Sequence, residues 1–163
     1  MPVPETVPDD VTRAVLDGPP DKVFDLLTQG RWWKEWHVSS TGVGGVTERP
    51  YLLGDLVQET GEVNGQHFTL SWRVVEHVRP SRVVLHEENL DAYLVYAFEE
   101  DADGRTRYSR ASHLDNADRL RGLGHDPEAL RRDTAAASAA SITRLEDHIN
   151  GILAAEHRDM HAG

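Results

Sequence analysis

The chain has 163 residues, with 28 acidic against 17 basic side chains for a formal net charge of −11, and no cysteine. That balance excludes the cationic surface that nucleic-acid binding needs to displace counterions from phosphates, and it disfavours anionic membranes. Without cysteine there are no disulfides and no thiolate chemistry, which fits a reducing cytoplasm, the expected location. No apolar run is long enough to cross a bilayer, so membrane insertion is not expected. The length predicts a single domain over residues 1–163, burying roughly 70% of its unfolded surface; the sequence leaves open whether it is a monomer or homodimer.

Residues 1–9 are acidic and proline-rich and read as a flexible tail. Asp10 to Leu16 reads as a first strand, ended by Gly18-Pro19-Pro20. Proline suits the first turn of a helix, and Asp21 to Gln29 follows with Val23, Phe24, Leu26 and Leu27 on one apolar face. Gly30 closes it. A second short helix is expected over Arg31 to Trp36, where Trp32 and Trp36 share a side at i,i+4. Trp32, Trp33 and Trp36 are candidates for the mouth of a pocket, with ordinary core packing of at least one of them as the alternative. Gly42 to Gly45 has no helix after it and reads as a bulged strand rather than a phosphate-binding loop.

The middle of the chain reads as a meander of antiparallel strands. Asn64-Gly65 and Asp103-Gly104 are two-residue hairpin signals, and Arg79-Pro80-Ser81 is a turn. Phe68, Leu70, Trp72 and Val74 alternate with polar residues, so one face is buried and the other wet. Leu94, Tyr96 and Phe98 repeat that alternation. In the last strand the inward phase carries Tyr108, Arg110, Ser112 and Leu114, which puts a cation on an inner face. The same periodicity directs His113 outward. Residues 115–125 are long for a connector and read either as a lid or as a surface loop. A long helix then starts with Asp126 as N-cap and Pro127 in its first turn, and Ile142, Leu145, Ile149 and Ile152 form an apolar stripe along it.

Between Thr134 and Ser141 the same helix offers Ala, Ser and Thr where its second half offers Ile and Leu. Small residues facing a sheet that carries Trp72, Tyr96 and Tyr108 imply a space occupied by something else. The alternative is that alanine only raises helix propensity on an exposed face. On the first reading Ser138 and Ile142 border a cavity. Arg110 would then meet a carboxylate, enolate or phenolate of a guest, with Tyr108 as hydrogen-bond partner. The alternatives are an ion pair with Glu59, Glu87 or Asp115, or an outward position. His157 and His161 are spaced i,i+4 without a third ligand, so no metal is expected, and no cofactor either.

Leu16 to Leu27 with Trp32-Trp33-Lys34-Glu35-Trp36, then Gly54-Asp55, Trp72 to Glu76, Pro80-Ser81-Arg82 and Gly104 to Tyr108, resemble in order and spacing the landmarks of the START-like SRPBCC superfamily, which includes polyketide cyclase/dehydrases. The resemblance covers essentially the whole chain. It implies an α+β helix-grip fold: a curved antiparallel sheet of about seven strands, two short helices and a long C-terminal helix closing a cavity. The expected function is binding of a hydrophobic or aromatic small molecule, of polyketide type among the options. Trp32, Trp36, Phe68, Leu70 and Trp72 would line its first half. Tyr96, Phe98, Tyr108 and Arg110, with Ser138 and Ile142, would line the second. One alternative is a polyketide cyclase or dehydratase using Arg110 and Tyr108 to stabilise enolate charge. Another is a self-resistance protein that sequesters or consumes a toxic product such as an enediyne. A regulatory module with a filled interior is the last.

Overall fold

A computed structural model describes residues 10–29, 40–45, 49–63 and 65–161. The tail over residues 1–9 and the expected helix over Arg31–Trp36, with Trp32 and Trp36, lie outside the described residues. Seven strands form one antiparallel sheet: β1 (Asp10–Leu16), β2 (Ser40–Gly45), β3 (Leu56–Val63), β4 (Gln66–Val78), β5 (Arg82–Glu87), β6 (Ala92–Glu100) and β7 (Thr106–His113). Their spatial order is β1-β7-β6-β5-β4-β3-β2, so the first strand closes against the last. Helix α1 (Pro20–Leu27) follows β1, α2 (Ala117–Gly122) follows β7, and α3 (Pro127–His161) ends the fold. None of the helices among the described residues is long and apolar enough to cross a membrane.

Local sequence explains the corners. Val63 and Gln66 face each other across a two-residue turn whose second position, Gly65, has φ +79, a left-handed value that glycine adopts without strain. Gly45 also has a left-handed φ, and a Cβ there would lie 2.3 Å from the Leu56 carbonyl oxygen, so only glycine lets β2 approach β3. The expected irregularity in β2 is present as a register shift between Ser40 and Gly42. At the start of α3, Asp126 accepts the Glu128 amide at 3.1 Å while Pro127 occupies the first turn, where its missing N–H costs nothing.

The core lies on the concave face. Phe24 of α1 packs on Phe98 with ring centroids 5.1 Å apart, and Phe98 packs on Tyr108 at 5.3 Å. Leu145, Ile149 and Leu153 of α3 join the same cluster. The stripe thus runs through Leu153, four residues beyond Ile149, while Ile152 is only half-buried. Alternation in β6 is incomplete because its outer phase is buried too: Val84, Tyr93 and Val95 form a second cluster on the other side of the sheet.

The 115–125 connection is not a plain loop. It holds α2, whose Leu120 is fully buried and whose N-cap Asn116 accepts the Arg119 amide at 3.1 Å. Asn116 also donates to Asp91 at 3.0 Å, and Arg119 donates to the Asn89 carbonyl at 2.7 Å. These bonds clasp α2 to the β5–β6 turn.

Candidate functional site: a cavity under the long helix

A space of about 500 Å³ lies between the concave sheet and the small-residue half of α3. Phe68, Leu70 and Trp72 of β4 wall one side, and Ala92 and Leu94 of β6 form part of the floor. Ala129, Leu130, Thr134, Ala137 and Ser138 face them from the helix at i,i+4 intervals, as one stripe of a helix must. Of the alanines in the 134–141 cluster, Ala137 is a cavity wall residue, whereas Ala136, Ala139 and Ala140 lie on the exposed face, where they favour the helix. Gln66, His67, Gly124, His125 and Asp126 also border the space and are exposed, which places its mouth between the β3–β4 hairpin and the α2–α3 turn.

Phe68, Leu70, Trp72, Arg110 and Ser138 thus come together as expected from their phases. Tyr108 and Ile142 do not border this space; with Arg110 and Ser138 they line a separate crevice beside it. Tyr96 and Phe98 require a correction, because neither borders the cavity. Both face inward, but Phe98 is sandwiched between Phe24 and Tyr108, and Tyr96 stands edge-on to Tyr108 at 6.1 Å. They support the wall from behind.

The polar groups of the cavity include one that alternation could have revealed. Val57, Glu59 and Gly61 share the buried phase of β3, so Glu59 points inward and is only 4% exposed. It accepts the Trp72 indole N–H at 3.2 Å, which fixes the ring against the cavity. Ser112 follows Arg110 by the same rule. His113 pairs with Tyr93, in the outward phase as expected, yet it is buried and still borders the cavity, with its Nδ1 3.4 Å from Asp115. Glu87, considered as a partner for Arg110, instead receives the Leu90 amide at 2.7 Å and shapes the β5–β6 turn.

Burial governs the electrostatics. Desolvation pushes the Tyr96 phenol up to about 12, with the Arg110 guanidinium pulling it back and Glu59 pushing further up. Tyr108 is driven up further still, again chiefly by desolvation and secondarily by Tyr96, with Arg110 opposing. Both phenols are neutral at physiological pH. In that form each can donate a hydrogen bond.

A curved antiparallel sheet gripped by a long C-terminal helix over an internal space defines the helix-grip class. Within it, residues 17–147 match the family described as Activator of Hsp90 ATPase homolog 1-like protein, and the chain belongs to that family of the SRPBCC superfamily. No curated protein matches the chain in sequence. Among solved structures, a Rhodobacter sphaeroides protein shares 20% identity at TM-score 0.61, over 89% of this chain and 91% of its own. The Aha1 dimer of Colwellia psychrerythraea shares 14% identity at TM-score 0.61, over 86% and 95%. Ginseng major latex-like protein 151 shares 10% at TM-score 0.59, over 85% and 95%. At these identities the likeness establishes the fold.

Proposed function

We propose that the protein encloses a hydrophobic or aromatic small molecule between its sheet and α3, with Arg110 and Ser138 marking the polar end of the guest. The observation that carries this reading is the space itself, about 500 Å³, within the range of sites that bury drug-sized ligands. Its walls suit such a guest: Phe68, Leu70, Trp72, Leu94 and Leu114 offer apolar surface, while Glu59, Arg110, Ser112 and Ser138 add polar groups that can meet a substituent.

Native mass spectrometry of the purified protein, titrated with flat aromatic compounds, tests the reading. A saturable one-to-one complex is expected, lost when Ala137→Leu fills the space. Failure of every aromatic and aliphatic probe to form such a complex contradicts it.

A further inference from the structure

Ser112 is 4% exposed and borders the main cavity from β7, between Arg110 and Leu114 in the same inward phase. Its register partner on β6 is Leu94, another wall residue, and β1 pairs with it on the opposite side. Among the described residues its Oγ has no hydrogen-bond partner. Other buried hydroxyls of the fold do have one. Thr28 donates to the Phe24 carbonyl at 2.8 Å, Thr106 to the Gly18 carbonyl at 2.8 Å, and Ser141 to the Ala137 carbonyl at 2.7 Å.

Position in the fold explains the difference. A helical serine reaches the carbonyl one turn back, as Ser141 does. In a strand flanked on both sides, ladder bonds occupy the neighbouring backbone groups, and Leu94 across the sheet offers no polar atom. A hydroxyl buried in this way gives up its bonds to water and receives none from the protein. Rotation about χ1 lets the oxygen swing between staggered positions while Cβ stays on the cavity wall.

We infer that the Ser112 hydroxyl anchors an uncharged hydrogen-bonding group, a hydroxyl or a carbonyl, on the guest. The inference rests on the cavity taking a small molecule, and it narrows the class to an apolar body bearing a neutral oxygen substituent. A guest hydroxyl can donate to Oγ or accept from it, and a carbonyl can accept. Leu94 and Leu114, across and along the sheet from Ser112, offer hydrocarbon contact to the rest of such a molecule. Charge argues against an anion. Asp126 and Asp133 border the same space against the guanidinium of Arg110, and the chain carries −11 overall, so a carboxylate is repelled on approach.

Ligand-observed NMR with naphthalene, 2-naphthol and 2-naphthoate on the full chain tests this, beside thermal melting of the guest-free protein. The expected order is 2-naphthol about tenfold tighter than naphthalene, the ratio one good hydrogen bond supplies, with 2-naphthoate weaker than 2-naphthol. Ser112→Ala brings 2-naphthol to the affinity of naphthalene without lowering the guest-free Tm, because a methyl group replaces a hydroxyl that no protein group meets. Ser112→Thr, which keeps the hydroxyl, keeps the preference. An unchanged 2-naphthol preference in Ser112→Ala overturns the inference. So does an equal loss of both probes with a lowered Tm, the signature of a residue that only packs. Equal or tighter binding of 2-naphthoate overturns it as well. If naphthalene binds and 2-naphthol has no advantage, only the anchor falls. If no probe binds at all, the cavity reading falls with it.

Discussion

Tyr96 and Tyr108 bury two phenols beside one guanidinium, and the pH response of the molecule follows from them. An unfolded tyrosine ionises near pH 10, whereas Tyr96 in the folded chain is pushed up to about 12. Above pH 10 the unfolded chain therefore loses the proton first. The contribution to stability is complete below that pH and is lost as pH rises toward 12. Urea-unfolding midpoints should fall steeply across this window, and Tyr96→Phe should flatten the fall. An unchanged slope in that variant would mean that Tyr96 ionises as an exposed phenol does. Arg110 was legible as an inward cation because a two-residue period is rigid. Tyr96 and Phe98 were misplaced as cavity wall because phase gives the face of a strand and not the depth of a neighbour such as Phe24 laid across it.

At the level of elements, α2 is held by charge and α3 is shaped by residue size. Asp91 accepts from His86 at 2.8 Å and from Asn116 at 3.0 Å, and these bonds, His86 first, hold its carboxyl below the usual range. The clasp is therefore intact above the ordinary aspartate pKa of about 3.9 and is released as pH falls through the depressed value. Amide protection factors in α2, taken against the unfolded-chain rate at each pH, should fall below about pH 4. Asp91→Asn should lower them at neutral pH as well, since a neutral amide gives up the charge that strengthens the bonds from His86 and Asn116; Asp91 has φ +51, which asparagine tolerates. Unaltered exchange in that variant would place the anchoring of α2 in Leu120 alone. On α3, Ala137→Leu should raise the melting temperature by a few degrees, because the added methylenes enter existing space at about 0.8 kcal/mol each. A lower melting temperature with guest uptake intact would show that residue 137 meets packed atoms.

The element order was readable because hairpin glycines, the Asp126-Pro127 start and the alternation of β4 each act locally. Helix α2 was not, since six residues carry too little periodicity, and its stability comes from Leu120 entering a distant core.

For the whole molecule, the sheet and α3 meet twice, in opposite ways. Toward its C-terminal end the helix fills the sheet's hollow with Leu145, Ile149 and Leu153. Toward its N-terminal end the same helix stands over the hollow with alanine, serine and threonine. Removing a large side chain from the filled half should therefore be costly: Ile149→Ala is expected to lose about 2–5 kcal/mol, read by chemical denaturation. Loss of less than about 1 kcal/mol would show a site that collapses freely. The two halves were visible in sequence as a change of residue size along one helix, but which strands face each half depends on the closure of β1 against β7. That closure is a long-range pairing with no local signal.

Methyl-resolved NMR during titration with 2-naphthol tests the central claim most directly. Shifts are predicted to concentrate at Leu70, Leu94, Leu114, Leu130 and Ala137 around the space, leaving Val84 and Val95 on the other side of the sheet unmoved. Saturable binding that moves only the exposed Leu52, Leu53 and Val78, with the cavity methyls still, would contradict it.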